Sequence, residues 1–225
     1  MPSATLRNFT VSYHDKLEYD TLVNEIFKKN EYYVDLENPE PVIIDCGAHI
    51  GLTSLYLLSL YPKAKITAIE PNPANLALLR ENISQNGFES QVNILPKALA
   101  SFEGKVPLFV NPNWGVFSSL KKGGWTGEHA PNSVPIETIK FSSLLDKPID
   151  FVKMDIEGLE LEVLREAGPK LKLISHLTLE FHETKKQKVD TLVKLLQQFF
   201  KSVEVEKDDR REKDKANQLY LVTAH

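Results

Sequence analysis

The sequence predicts an α/β fold in which a mostly parallel, Rossmann-like sheet carries helices on both faces and ends in an antiparallel hairpin. Apolar stretches of strand length alternate with segments of helical periodicity from residue 42 to residue 200. A glycine turn, Gly47 to Gly51, joins the first of these strands to its helix. Two final strands, Ser202 to Val205 and Leu219 to Thr223, follow each other without a helix, so antiparallel pairing is expected.

Size and composition indicate one globular domain. The 225 residues are 42% hydrophobic and 26% charged, which is ordinary for a globular protein. A net charge of −4 gives no overall positive field, so nucleic acid is not an expected partner. Membrane contact is not expected either, because no stretch approaches the roughly 20 apolar residues of a spanning helix and the amino terminus lacks a signal-peptide pattern. A single cysteine, Cys46, fits a reducing, cytoplasmic location.

Residues 1 to 40 are expected to form an appendage to the main domain, residues 41 to 225. Leu6 to Tyr13 alternate like a short strand, and Tyr19 to Lys29 place apolar side chains on one helical stripe. This segment is expected either to cover a pocket at the carboxyl edge of the sheet or to cover one sheet face. The rigid connector Asn38 to Pro41 follows it.

Residues 42 to 73 predict a βαβ unit that binds a nucleotide-type ligand at its carboxyl edge. The strand Val42 to Ile44 ends in Asp45, and the glycine turn opens onto a helix from Leu52 to Tyr61. A second strand, Ile66 to Ile69, ends in Glu70. Acids that end neighbouring parallel strands are expected to meet at one sheet edge.

The spacing within this unit indicates which ligand binds. Glu70 follows Gly51 by 70 − 51 = 19 residues, the distance at which an acid reaches ribose hydroxyls. His49 stands where a dinucleotide-binding turn needs glycine, which disfavours a pyrophosphate and hence NAD. A ligand with ribose and adenine, a carboxylate for the helix amides and an ammonium for Asp45 is S-adenosylmethionine. The residues expected to bind it are Asp45, Gly47, Ala48, His49, Gly51, Glu70, Pro71 and Asn72, with Lys97 and Ala98 beside the adenine.

The middle of the chain interrupts the alternation of strands and helices. After a helix from Ala74 to Ser84 and a strand from Gln91 to Leu95, residues 102 to 135 form a predicted loop insertion that holds both tryptophans, Trp114 and Trp125. Within it, residues 105 to 110 have a strand pattern. We expect the tryptophan loops to form a lid over the pocket, with Ser118 and Ser119 touching the substrate; local packing on the core is the alternative.

The alternation resumes in the second half. Asp150 to Glu157 predict a buried strand that ends in acids, and Leu159 to Ala167 its helix. Ser175 to Phe181 predict a fifth strand, and Lys185 to Phe200 a long amphipathic helix. The charged run between the two final strands carries both signs, so a solvated loop is expected.

Four segments, VIIDCGAHIG, AIEPNP, DFVKMDIEGLELEVLREA and LEFH, resemble the FkbM family of methyltransferases. The resemblance covers roughly Val42 to His182. It implies the seven-stranded fold of S-adenosylmethionine-dependent methyltransferases and methyl transfer to a hydroxyl oxygen of a sugar or a secondary metabolite. Family members differ in their acceptors, so the acceptor is not implied. His49 stands where asparagine is common in the family.

Three residues at the ends of the later strands are candidates for catalysis. Methyl transfer to an alcohol needs alignment and a base. Asp155 ends the fourth strand, and Glu180 and His182 share a face at the end of the fifth. We predict that His182 is the base, because its reference pKa is about 6.5, that Asp155 orients the acceptor or the cofactor, and that Glu180 orients His182.

Other roles stay open for these residues. Asp155 can instead cap the following helix, and His182 can be a surface residue. The same three side chains also have ligand types that suit a divalent metal, which is not favoured. Lys153 shares a strand face with Asp155 and predicts an ionic cluster, since a buried lysine is costly without a carboxylate.

Two other functions also stay open. One is a non-catalytic module that binds S-adenosylmethionine, although acids at both later strand ends argue against it. The other is an amino-group or nucleic-acid methyltransferase, for which Asn111 to Trp114, reading NPNW, is only a partial motif in the wrong place. O-methylation of a small molecule remains the prediction.

Overall fold

The computed structural model describes residues 1–110, 118–119, 132–185, 187–208 and 218–225. In chain order the strands are β1 (Ser3–Leu6), β2 (Phe9–Ser12), β3 (Val42–Cys46), β4 (Lys65–Ile69), β5 (Val92–Leu95), β6 (Lys97–Ala100), β7 (Gly104–Val110), β8 (Ser118–Ser119), β9 (Asn132–Lys140), β10 (Ile149–Met154), β11 (Ile174–Glu183), β12 (Val203–Asp208) and β13 (Gln218–Ala224). The α-helices are α1 (Lys16–Val23), α2 (Leu52–Leu60), α3 (Pro73–Gln85), α4 (Glu160–Ala167) and α5 (Val189–Leu196). A π-helix, Asn24–Lys28, continues α1, and 3₁₀ helices cover Phe141–Leu144 and Gly168–Leu173.

The described strands form a seven-stranded central sheet in the order β12-β13-β11-β10-β3-β4-β5. From β5 to β11 the neighbouring strands run parallel. Strand β13 pairs antiparallel with β11, and β12 pairs antiparallel with β13. The predicted fold class is therefore confirmed, including the terminal hairpin.

Hydrophobic layers cover both faces of this sheet. Ile43 of β3 belongs to the cluster that contains Leu55 of α2 and Leu78 of α3. Its neighbour Ile44 belongs to the opposite cluster with Leu164 of α4. Strands buried on both faces read as continuous apolar runs, which is the pattern in the sequence. Within the described part of the chain, every helix is too short or too polar to traverse a bilayer.

The first 40 residues differ in detail from the predicted strand and helix. The single strand predicted over Leu6 to Tyr13 is instead part of a hairpin of β1 and β2, which turns at Arg7 with φ of +54°. The predicted helix Tyr19 to Lys29 is divided between α1 and the π-helix. Asn82 of α3 connects this hairpin to the main domain, because its side chain accepts from the Ser12 amide at 2.7 Å and donates to the Ile50 carbonyl at 2.8 Å.

The insertion builds a second small sheet. The order of its described strands is β6-β9-β7-β8, with β7 antiparallel to β9. The strand pattern predicted at residues 105 to 110 is confirmed as part of β7. The backbone of Ser118 and Ser119 pairs with β7, and their contact with substrate stays a prediction. Trp114 and Trp125, on which the predicted lid depends, lie outside the described residues.

The helices of the second half are shorter than predicted. Helix α5 covers Val189–Leu196 rather than Lys185 to Phe200. The Glu183 carboxylate accepts from the Val189 amide at 2.9 Å and so satisfies a donor at the start of the helix. At the end of the helix the hydrogen-bond spacing shortens from four residues to three, since the Phe199 amide donates to the Leu196 carbonyl at 2.9 Å. Local capping therefore sets these boundaries more narrowly than the apolar stripe suggests.

Candidate functional site

A cavity of about 960 Å³, including its open mouth, lies where β3, β4, β10 and β11 end. The predicted site residues in its wall are Gly47, Ala48, His49, Glu70, Pro71, Lys97, Ala98, Asp155 and Glu180. The other predicted site residues, which do not line it, are Asp45, Gly51, Asn72 and His182. Parallel strands thus bring most of the candidate residues together at one edge, as expected for a doubly wound sheet.

The glycine turn is pressed against the end of β10. Gly47 has φ of +77°, and a Cβ atom there would lie 1.8 Å from the carbonyl oxygen of Asp155. Gly51 has φ of +91°, and a Cβ there would lie 2.7 Å from Leu79 Cδ1. Gly47 therefore requires glycine for space as well as for backbone conformation, while Gly51 requires it mainly for backbone conformation, because the Leu79 side chain can move. The close approach places the glycine turn directly beside Asp155.

Glu70 is held facing the cavity. It is 4% exposed, and its carboxylate oxygens accept from the backbone amides of His49 at 2.9 Å and Asn72 at 2.8 Å. Burial raises the pKa of Glu70, and the neighbouring His49 and backbone amides oppose that rise. Each carboxylate oxygen has a second lone pair for a ligand hydroxyl. Asn72 instead caps α3, because its side chain accepts from the Ala74 amide at 3.0 Å.

Asp45 and Lys153 form an ion pair beneath the turn. Asp45 is fully buried and lies opposite Lys153 in the parallel pairing of β3 and β10, with the charged atoms 3.7 Å apart. Ser54 Oγ donates to Asp45 at 2.7 Å, and Lys153 Nζ donates to the Gly47 carbonyl at 2.6 Å. The predicted pairing of Lys153 with a carboxylate is confirmed. Asp45 therefore faces the Lys153 ammonium and does not line the cavity.

His182 lies in a buried cluster of acids. Its Nδ1 is 2.9 Å from Glu160 Oε1, and its Nε2 is 3.6 Å from Glu157 Oε2 and 3.9 Å from Asp155 Oδ1. Burial alone lowers the pKa of His182, but Glu160 and Glu157 outweigh burial and raise the pKa to about 10. The imidazole is therefore protonated at neutral pH. The role of base predicted for His182 stays a prediction, and these acidic surroundings argue against it because they favour the protonated imidazole.

Glu160 belongs to the same buried cluster and was not among the residues predicted from the sequence. It is fully buried and accepts from the Gly158 amide at 2.8 Å, while Gln187 Nε2 lies 3.3 Å from its other oxygen. The signal was the E-G-x-E part of the FkbM-like block, where Glu160 begins α4. Glu160 is the carboxylate bonded to His182 Nδ1, and the orienting role predicted for Glu180 stays a prediction.

Glu180 instead meets the amino-terminal segment. Its Oε1 accepts from Tyr32 Oη at 3.0 Å. Tyr32 is 3% exposed, and Lys153 Nζ lies 5.5 Å from the centre of its ring. Tyr32 and Glu25 line the cavity and were not predicted as site residues. No local pattern marks them, since their proximity to β11 depends on the path of the whole segment.

Three atoms of the acidic cluster have the ligand types of a metal site. Asp155, Glu157 and His182 each bring one such atom to within 4.8 Å of the others. Burial raises the pKa of Glu157 to about 8, although His182 opposes the rise. A metal bound at the imidazole would have to displace the proton of His182. The sequence-based expectation, in which a divalent metal is possible but not favoured, stays a prediction.

Comparison with known proteins places this site in a shared domain. The model of the methyltransferase FkbM domain matches residues 45–208. Methyltransferase sdnD of Sordaria araneosa is 34% identical over 67% of this chain and 69% of its own length. The hexuronic acid methyltransferase AglP of Haloferax volcanii is 30% identical over 77% of this chain and 68% of its own. The crystal structure of methyltransferase FkbM from Methylobacillus flagellatus shares the fold, with a TM-score of 0.52 at 18% identity over 92% of this chain and 55% of that one.

Proposed function

Since this chain belongs to the FkbM methyltransferase family, we propose that it binds S-adenosylmethionine in the cavity and methylates a hydroxyl oxygen of a small molecule. The observation that carries this proposal is the convergence of the glycine turn, Glu70 and Asp155 on one cavity. A hexuronic acid, named for the relative AglP, offers oxygen nucleophiles, which supports oxygen as the acceptor atom. A sugar or a secondary metabolite is the proposed acceptor class.

The residues present fit this cofactor. Glu70 directs a carboxylate into the cavity beside the turn, where it can accept hydrogen bonds from ribose hydroxyls. The missing side chain of Gly47 leaves the turn close to Asp155. Lys97 and Ala98 also line the cavity. In the proposed binding mode these two residues lie beside the adenine. When bound, the cofactor supplies an electrophilic methyl group on a sulfonium.

Asp155 is the proposed acceptor of the hydroxyl proton. Its side chain is 28% exposed and lines the cavity, and among the described residues its buried Oδ1 has no hydrogen-bond partner. The Asp155 carboxylate lines the cavity and can therefore accept from a substrate hydroxyl, whereas His182 does not line it. The imidazolium of His182, 3.9 Å away, stabilises the carboxylate that accepts the bond. Proton transfer to a positioned base of this kind contributes about 10² to 10⁴ in rate.

The acceptor is proposed to bind between Asp155 and the amino-terminal segment. Leu22, Glu25, Ile26 and Tyr32 line that side of the cavity. In this arrangement, residues 1 to 40 wall the pocket and exclude water from the reaction. The Tyr32 to Glu180 hydrogen bond joins this wall to β11, so both residues are placed to orient the acceptor.

Calorimetry followed by an acceptor screen tests the proposal. Binding of S-adenosylmethionine and S-adenosylhomocysteine, at least about tenfold weaker in Glu70→Ala, is expected because the ribose loses its carboxylate partner. Glu89→Gln, an exposed acid, is the matched control and should bind like wild type. Preference for NAD, or equal affinity in Glu70→Ala, contradicts the cofactor proposal.

Turnover separates catalysis from binding alone. Once the screen over sugars and secondary metabolites yields an acceptor, Asp155→Asn should keep its cofactor affinity and lose roughly 10² or more in kcat. Full activity of Asp155→Asn would remove this residue from the mechanism. Tight cofactor binding with no turnover of any acceptor would favour the non-catalytic module.

A further inference from the structure

One face of helix α1 contacts both the glycine turn and the cavity. Glu18 and Leu22 are four residues apart, so they lie on the same face of α1. Glu18 Oε1 lies 2.8 Å from His49 Nε2, and Leu22 lines the cavity. Ile26, four residues further on in the π-helix, lines the cavity as well. The face that contacts the turn therefore also forms the wall proposed to lie beside the acceptor.

The contact between Glu18 and His49 is shielded from solvent. The Glu18 side chain is 8% exposed and that of His49 is 18% exposed. At a separation of 2.8 Å a proton must lie between the carboxylate oxygen and the ring nitrogen, because two lone pairs would repel each other. A partly buried charge pair of this kind is screened less by salt than a pair on the surface.

His49 connects this helix to the carboxylate proposed to bind the ribose. It adopts φ of +51° in the glycine turn, its backbone amide donates to Glu70 Oε2 at 2.9 Å, and it lines the cavity. Glu18 itself does not line the cavity. An effect of Glu18 on a ligand in the cavity therefore has to be transmitted through other residues, and His49 is in position to transmit it.

Helix α1 depends on its contacts with the rest of the chain. It has eight residues, of which Tyr19 and Val23 are buried, while Leu17 is 67% exposed. Isolated helices shorter than about 12 residues are marginal in water. Contacts such as that of Glu18 with His49 therefore affect how often the helix opens. A ligand that fixes the glycine turn is expected to protect α1 against opening.

We propose, on the basis of the proposed function, that Glu18 is a positioning residue whose contact with His49 couples cofactor binding to the stability of the acceptor wall. The cofactor fixes His49 through the turn, His49 fixes Glu18, and α1 then holds Leu22 and Ile26 at the cavity. Coupling of this kind is reciprocal, so the contact that lets the cofactor stabilise α1 must tighten cofactor binding by the same factor. Such factors are typically about 5 to 150.

Hydrogen exchange with S-adenosylhomocysteine as the probe tests the coupling. At a ligand concentration that saturates each variant, wild type should exchange at least about fivefold more slowly in a peptide covering residues 16–28 than without ligand. Glu18→Gln and His49→Asn should each lose this slowing, and asparagine suits the positive φ of His49. The matched control is Asp20→Asn, which removes an acid that pairs with Lys16 on the exposed side of the same helix. It should behave like wild type.

Calorimetry on a double-variant cycle shows whether Glu18 acts through His49. Glu18→Gln should weaken binding of S-adenosylhomocysteine about fivefold or more, although Glu18 does not line the cavity. In the His49→Asn background the same substitution should have no further effect, because the contact is already absent. A purely structural loss at α1 would instead add to the effect of His49→Asn, and additivity would overturn the positioning role.

The outcomes separate this inference from the function on which it rests. Binding of S-adenosylhomocysteine without a change of exchange at residues 16–28 overturns the coupling and leaves the cofactor proposal intact. Equal slowing in Glu18→Gln and wild type overturns the role of Glu18. If calorimetry detects no binding to wild type, the proposed function fails, and the inference fails with it.

Discussion

Replacement of Lys153 by methionine is expected to destabilise the protein by about 3 to 5 kcal/mol, because it leaves a buried carboxylate without its cation. Asp45 is fully buried and Lys153 is 3% exposed, with 3.7 Å between their charged atoms. At that distance an effective dielectric constant of 20 gives an attraction of about 4 kcal/mol. The loss is therefore a large share of a typical domain's stability.

The double variant Asp45→Asn with Lys153→Met is expected to recover much of this loss. Asparagine keeps an oxygen that accepts from Ser54 Oγ, now 2.7 Å from Asp45, and no charge remains buried. We expect a coupling energy of about 2 kcal/mol or more between the two positions. The Gly47 carbonyl still loses its Lys153 donor, so cofactor affinity should stay reduced even where stability recovers.

Urea unfolding of the four proteins in the cycle measures the coupling. The matched control is the pair Glu40 and Lys63, which is closer at 2.8 Å but has side chains 59% and 71% exposed. Solvent screening should make its coupling much weaker than that of the buried pair. A Lys153→Met loss below 1 kcal/mol, or a coupling no larger than that of the surface pair, would refute the argument that burial gives the pair its importance.

Two further predictions concern the turn and the acidic cluster. Gly47→Ala should weaken cofactor binding about tenfold or more and lower stability, because its Cβ would meet the Asp155 carbonyl at 1.8 Å; Gly87→Ala, with the same φ of +77° and open space, should cost only about 1 kcal/mol and leave binding intact. Similar binding losses in both variants would contradict the steric account. The folded-state pKa of His182, about 10, exceeds the unfolded value near 6.5. Protonation of His182 therefore contributes up to about 5 kcal/mol to the free energy of unfolding below pH 6.5, and this contribution is lost as the pH rises through 10. In urea unfolding across that range, His182→Gln should lose less stability than wild type, and a parallel decline in both would count against the buried imidazolium.

The sheet and the edge that carries the cavity were predictable because their signals are local. A strand that ends in Asp45, a turn with glycine at two fixed positions and a second strand that ends in Glu70 specify a βαβ unit within about 30 residues. Parallel strands then place the residues that follow them at one edge. The cavity lies there, so its position follows from the order of strands without any knowledge of side-chain contacts.

The amino-terminal hairpin was not predictable by the same means. Its turn uses Arg7 at φ of +54°, a conformation that residues other than glycine rarely adopt. No glycine, asparagine-glycine or proline pair marks the turn. The alternating pattern therefore predicted one continuous strand across it. The same segment later supplies Tyr32, which bonds to Glu180 across 148 positions of sequence. A contact of that range depends on the complete fold.

The chemistry at the site depends on contacts of intermediate range, so the charge pair at Lys153 was predictable from the sequence whereas the acidic surroundings of His182 were not. Lys153 and Asp45 lie opposite each other on adjacent strands, so strand order and an apolar context suffice to suggest a pair. His182 meets Glu160, 22 residues earlier at the start of α4, and that proximity depends on how the helix packs beside β11. A reference pKa describes a histidine in water, whereas three carboxylates within 4 Å hold its proton. We therefore propose as the proton acceptor a carboxylate that lines the cavity beside the glycine turn, and Asp155 has that position.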